Sequence, residues 1–351
     1  MTARVLVLGG GVTGLTAVRA LSELGLPTLL LEKTPELGGR ARRLATTFPL
    51  LDSGFVDGES FVDDLRQDAL ASPLVEVKRA TTLRQLDGEF PRLSARLSDA
   101  STVEVGAVVV ATGFEPFDPA PLDEYGYGRY PGVVTASELE WLLNPRGPTK
   151  GQLLKPDGSP ARRLAIVFCV GSRNRRIGAP FCSRICCSYS TKQALTVIDR
   201  DPTASVICFY MDVRTYDRGF EEMYSRAQER GIRYVRGRVA SCKQTPEGNI
   251  LVRAENTLVQ APMTTEVDLV SLSTGMRPCS DVEQLSTALG IGRAQDGFFS
   301  SKDWFRHPND STRRGVFLAG CTTGMKPIRN CVTDAHAAAA RVASLLGATT
   351  P

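Results

Sequence analysis

Histidine is scarce. The 351 residues hold two, His307 and His336, which leaves little scope for a His-based metal site or a His-centred triad. Long apolar runs are also lacking, and none reaches the roughly 20 residues that span a bilayer, so no membrane span is expected. Charge of one sign is not in excess either: 42 Lys and Arg stand against 38 Asp and Glu, a formal +4 without blocks of like charge. That balance argues against nucleic acid as a partner and against a charged tail. The chain enters a strand pattern at Val5-Leu6-Val7-Leu8, leaving no room for the regions of a secretory leader, so a cytoplasmic location is expected. No nucleophile stands in a pattern with a paired base, and no catalytic residue is assigned.

Glycine, by contrast, is plentiful, with 32 residues in a chain long enough for two domains. Residues 4–32 read RVLVLGGGVTGLTAVRALSELGLPTLLLE: an apolar strand, Gly9-x-Gly11-x-x-Gly14, a helix pattern, a turn at Gly25 and a second strand ending at Glu32. The glycine motif follows a strand, opens a helix and precedes an acidic residue by 18 positions, the context a dinucleotide fingerprint requires. Gly9 permits the tight turn, Gly11 admits the pyrophosphate, and Gly14 lets helix and strand pack closely. The pyrophosphate is expected on the helix N-terminus at Val12 and Thr13, and a ribose hydroxyl on Glu32, beside Lys33.

Three later segments decide which dinucleotide. Glu36-Leu37-Gly38-Gly39-Arg40-Ala41 resembles the second glycine motif of two-dinucleotide-binding flavoproteins. Val108-Val109-Val110-Ala111-Thr112-Gly113, followed by Pro116, resembles the motif leading out of their FAD domain. Gly315-Val-Phe-Leu-Ala-Gly320 resembles their last FAD strand. That strand ordinarily ends Gly-Asp, with the Asp on the ribityl chain, and here it ends Gly320-Cys321. Together these resemblances imply FAD rather than NAD. Beyond Cys321, Lys326-Pro327-Ile328 leads to a helix pattern over 333–346, whose N-terminus would favour the negative charge that grows on a reduced flavin. Lys326 either adds to that effect or is a solvated loop lysine.

The middle of the chain has the outline of a second nucleotide-binding unit: a strand over 162–171, a helix pattern over 188–198 and a strand over 204–211. The turn, however, reads Cys169-Val-Gly171-Ser-Arg173-Asn174 and not GxGxxG, which disfavours an NAD(P)H site. Cys169, Cys182, Cys186 and Cys187 are instead crowded into 19 residues, four of the nine cysteines. Their spacing is compatible with an iron–sulfur cluster, structural zinc, or a disulfide or inert thiols. A cuboid cluster accepts thiolates from different directions, which suits an adjacent pair such as Cys186-Cys187 better than a single ion does.

The order C-V-G-S-R, then C-S-R-x-C-C with twelve residues between the first two cysteines, then T-K-Q-A resembles the A subunit of heterodisulfide reductase. Thr47-Phe48-Pro49, Tyr125-Gly126-Tyr127-Gly128, Phe209-Tyr210-Met211-Asp212-Val213-Arg214 and residues 268–278 support it. The resemblance implies a [4Fe–4S] cluster on Cys169, Cys182, Cys186 and Cys187, a homodimer, and B- and C-type partner subunits that exchange electrons with this one. Two features depart from longer relatives. No C-x₂-C-x₂-C-x₃-C motif occurs, and Asp52-Ser53-Gly54-Phe55-Val56 stands where many carry D-C-S-x-C. The short form resembles subunits of the heterodisulfide-reductase-like complexes of sulfur oxidisers. The expected architecture is an α/β two-dinucleotide-binding flavoprotein: an FAD domain over 1–119 and 277–351, with an inserted cluster-bearing α/β domain over 120–276. Arg162, Arg163, Arg173, Arg175, Arg176 and Arg184 form either a solvated face or a group that tunes the cluster or docks an acidic partner.

Overall fold

The strand Val5–Leu8 is apolar at every position and lies between two parallel neighbours, Thr28–Leu31 and Ala107–Val110, so both its faces are buried. The computed structural model describes residues 3–47 and 56–347. Phe48, Pro49 and residues 52–55 of the motifs above lie outside these. Among the described residues the α-helices are α1 (Val12–Glu23), α2 (Gly58–Leu70), α3 (Ala136–Leu143), α4 (Cys186–Arg200), α5 (Phe220–Glu229), α6 (Val282–Leu289) and α7 (Ile328–Leu346). None is long and apolar enough to cross a membrane.

The chain divides into two compact units: Met1–Arg42, Glu59–Glu115 and Arg277–Pro351 form one, Arg43–Gly58 and Pro116–Met276 the other. The sequence division kept 43–58 and 116–119 in the first domain. The structure groups both with the second, where Lys192 and Glu140 hold the backbone of Thr46 and Ala45.

In the first unit, Val316–Leu318, Ala107–Val110, Val5–Leu8, Thr28–Leu31 and Val75–Lys78 run parallel in that order, extended by the antiparallel Ser301–Asp303 and His307–Ser311. Helices α1 and α7 pack together on one face. The alanine-rich stretch of α7 explains the fit: Ala335, Ala338, Ala339, Val342 and Ala343 fall on one helical face and are buried. The helix starts at Ile328, a turn earlier than its pattern, with Pro327 at the N-cap.

The second unit is built on a parallel sheet ordered Arg233–Arg236, Ser205–Tyr210, Arg163–Val170, Leu269–Thr274 and Val133–Thr135, with an antiparallel sheet of three further strands. In Arg163–Val170 the side chains alternate: Leu164, Ile166 and Phe168 pack with α4, while Ala165 and Val167 join the opposite core. Alternation alone would send Cys169 with Val167. The register slips between Val167 and Val170, and Cys169 takes φ +62° and joins the α4 side. Such a bulge re-aims one side chain at a strand end.

Candidate functional site

In the first unit the four flavoprotein-like segments converge backbone to backbone. A Cβ on Gly14 would sit 1.8 Å from the Gly9 carbonyl oxygen, so only glycine lets α1 approach the strand this closely. Gly11 bridges Gly38, whose N–H donates to the Gly10 carbonyl at 2.7 Å, placing the second glycine motif directly on the first. Gly113 donates to Thr322 Oγ1 at 3.4 Å, and Ala111 and Thr112 pass against Gly9. Gly320 has φ +68°, and a Cβ there would lie 2.3 Å from Thr13 Oγ1. The first turn of α1, at Val12 and Thr13, thereby meets the turn that leads to Ile328 and α7. Two helix N-termini share one corner, where free N–H groups favour anionic groups.

Glu32 is buried, and its carboxylate accepts from Gly10 N at 2.7 Å and from Thr34 N and Oγ1 at 2.8 Å. These bonds fix the acid beside the glycine turn and leave lone pairs for a ribose. Lys33 is bound to Asp281 at 3.1 Å, and the Arg40 guanidinium lies over the Phe114 ring at 5.6 Å. Lys326 is not a solvated loop residue: it is half-buried, donates to Thr323 Oγ1 and pairs with Asp334 of α7. Asp334 also accepts from Gly320 N at 3.2 Å. A carboxylate thus stands beside the strand end where the sequence has Cys321 in place of Asp. Sequence reading missed it because Asp334 lies 13 residues further on, inside a helix pattern.

In the second unit the glycine turn is filled. Gly171 has φ +76°, and the Phe117 ring lies 2.1 Å from where its Cβ would be. Arg173 N donates to Phe181 O, and its side chain pairs with Asp212 at 2.7 Å. Around this turn Cys169, Arg173 and Arg184 all carry positive φ, three of the seven described non-glycine residues that do. Left-handed backbone costs energy at such residues and clusters where function over-determines it.

The bulge brings Cys169 into the core that also buries Cys186 and Cys187 at the start of α4, and Cys186 influences both of the other thiols. The bond from Cys186, aided by Arg173 and Arg214 against burial, brings the Cys169 thiol down to about 7. Cys187 is likewise lowered by Cys186, and Cys186 between them is raised by both neighbours and by burial. The α4 N-terminus adds its positive end to this preference for thiolate. Cys182 is half-buried in the preceding loop, off the helix, and its sulfur accepts from Arg184 N at 3.3 Å. Among the described residues no group of three or more His, Cys, Asp or Glu is arranged to hold a metal ion. The donor set remains an all-thiol one with cationic neighbours, the chemistry an iron–sulfur cluster takes. Of the arginines, Arg162 pairs with Asp201, Arg163 with Asp268 and Glu266, and Arg184 stacks on Tyr216, while Arg175 and Arg176 are exposed.

Residues 3–339 match the family model described as pyridine nucleotide-disulphide oxidoreductase. The A subunit of the H(2):CoB-CoM heterodisulfide,ferredoxin reductase of Methanothermobacter marburgensis is 33% identical over 97% of this chain and 63% of its own length. The second of two iron–sulfur A subunits of the CoB–CoM heterodisulfide reductase of Methanopyrus kandleri is 33% identical over 99% and 65%. The chain thus spans a little under two thirds of these relatives. Among solved structures, thioredoxin reductase from T. acidophilum superposes with a TM-score of 0.68 at 16% identity, covering 97% of each chain. That of Lactococcus lactis gives 0.67 at 17%, covering 98% and 99%. The likeness to the heterodisulfide reductase A subunit read from the cysteine motif therefore extends along nearly the whole chain, and the thioredoxin reductases share its fold.

Proposed function

Because the chain belongs to the pyridine nucleotide-disulphide oxidoreductase family, we propose that it is the FAD- and [4Fe–4S]-carrying electron-transfer subunit of a heterodisulfide-reductase-like complex. It would act as a cytoplasmic homodimer with B- and C-type partner subunits, in dissimilatory sulfur oxidation. Bound FAD would supply two-electron chemistry, and the cluster one-electron exchange with the partners. The chain's own part is positioning. Gly9, Gly11, Gly14, Gly38 and Gly39 leave backbone open to a pyrophosphate, and Glu32 offers carboxylate lone pairs to a ribose. Lys326 and the α7 N-terminus at Ile328 put positive charge where a reduced flavin would need it. Cys169, Cys182, Cys186 and Cys187 would hold the cluster, with Arg173 and Arg214 offsetting its charge.

One observation carries the reading: at the end of Arg163–Val170 a bulge trades the phosphate-gripping turn for a thiol aimed at the start of α4, and Phe117 fills what remains. The test is metal and flavin analysis of protein purified without oxygen. About four irons and four sulfides per chain, with bound FAD, are expected; zinc without iron overturns the cluster. The pathway is tested separately. Loss of this chain should stop its host oxidising reduced sulfur compounds, and undiminished oxidation would remove the sulfur role alone.

A further inference from the structure

Cys331 belongs to neither role above, and Cys321 enters the flavin reading only as the residue that stands in place of the usual Asp. Cys321 lies in the short 3₁₀ turn Gly320–Thr323 after the strand Val316–Leu318, and Cys331 in the first turn of α7. Their sulfurs are 3.5 Å apart, both side chains are buried, and both sulfurs face the Lys326 carbonyl, at 3.4 and 4.0 Å. Two thiols already in contact need only a small approach to bond, since each Sγ swings on its own χ1.

The surroundings are not those of inert core cysteines. Cys331 stands at the positive end of α7, Thr13 from the first turn of α1 hydrogen-bonds to it, and the Lys326 ammonium is close. The bond from Cys321 lowers the Cys331 thiol first, then Thr13 and Lys326, against burial and Asp334. Cys321 is raised well above its ordinary value by Cys331 and by burial. Cys208, in an apolar core, has burial as its main influence and is raised. The pair therefore divides into a nucleophile and a proton-bearing partner, the asymmetry thiol oxidation exploits.

We propose that Cys321 and Cys331 form a second redox site in the first unit, a dithiol reversibly oxidised to a disulfide. The oxidant class is a peroxide. The Cys331 thiolate attacks one peroxide oxygen, the O–O bond breaks, and hydroxide leaves with Cys331 as a sulfenic acid. The Cys321 sulfur then attacks that sulfur, forming the S–S bond and releasing water. In sum, two thiols and one hydrogen peroxide give one disulfide and two waters. An external dithiol restores both thiols by exchange and becomes a disulfide itself. The site stores two electrons independently of any cluster, so it stands even if the cluster reading fails.

The test is peptide mapping of the full chain, titrated with hydrogen peroxide and digested without reductant. Trypsin leaves Cys321 in 315–329, because Lys326 precedes Pro327, and Cys331 in 330–341. The expected product is these two peptides joined, with two hydrogens fewer than their sum, and separated by dithiothreitol. In Cys321→Ser, where no partner can resolve it, dimedone should label Cys331. In Cys331→Ser, labelling of Cys321 should be several-fold weaker. Recovery of both peptides with separately alkylated thiols after peroxide overturns the proposal. If the serine variants fail to fold, the joined peptide from the unaltered chain still decides.

Discussion

Lys192 and Glu140 form an ion pair almost wholly out of water, and the same side chains grip a neighbouring loop. Lys192 Nζ donates to Thr46 O at 2.6 Å, Glu140 accepts from Ala45 N at 2.9 Å, and Gln193 donates to Glu140 at 2.7 Å. Removing the cation alone strands a buried carboxylate. Lys192→Met should cost about 3–5 kcal/mol, and Lys192→Met with Glu140→Gln clearly less, read from urea unfolding midpoints. Equal losses would mean that the charge is not what matters.

Gly14→Ala forces its Cβ against the Gly9 carbonyl, so α1 must move off its strand and away from the pyrophosphate. At about 1–3 kcal/mol of strain, flavin affinity should fall roughly tenfold or more. Flavin absorbance per chain after gel filtration reports this; full occupancy at low added FAD would contradict the placement.

Serine at Cys169, Cys182, Cys186 or Cys187 should each lower iron content, because each removes one thiolate of the proposed cluster. Cys208→Ser, buried in the same core, should leave iron unchanged. Iron that survives in one of the four strikes that residue from the ligand set, and Cys182, alone in a loop, is the most exposed to this outcome.

Asp268 accepts from the backbone of Arg162 and Arg163 at 2.7 and 2.8 Å and from the Arg163 guanidinium at 2.7 and 3.0 Å. Burial alone would raise its pKa, but the Arg163 side chain and the two backbone donors hold it below the ordinary carboxylate range. A pKa depressed on folding contributes stability that is fully present above the unfolded value, about 3.9, and fades as pH falls through the folded one. Asp268→Asn should therefore cost about 1.5–3 kcal/mol at neutral pH, and the gap to the unaltered chain should narrow in acid. A pH-independent gap would assign the effect to packing.

NADH added without oxygen should leave the visible flavin band intact, since the Phe117 ring lies against the turn that would take its phosphates. Rapid bleaching would restore a nucleotide site to the second unit.

Much of this was legible because it is local. Gly9, Gly11 and Gly14 announce themselves by spacing, the strand Arg163–Val170 by its apolar run, and the four clustered cysteines by density. The unread parts depend on packing between distant segments. Cys169 would face the wrong core but for a bulge that no residue pattern marks. Cys331 lies outside the crowded four and Cys321 shows only as a missing Asp, because their meeting requires α7 to begin a turn before its hydrophobic period does. Asp334 and the Lys192–Glu140 pair were hidden for the same reason: their partners are chosen by helix packing, not by neighbours in sequence.

The parallel run of the first unit places Ala107–Val110 between Val5–Leu8 and Val316–Leu318. On the ribosome, the opening strand and its neighbour therefore wait, one flank uncovered, while about two hundred intervening residues are made. The second unit's sheet is complete by Thr274, well before that last central strand emerges. The residues of the proposed cysteine site are thus all made before the strand that closes the flavin cradle, so the two sites become complete one after the other.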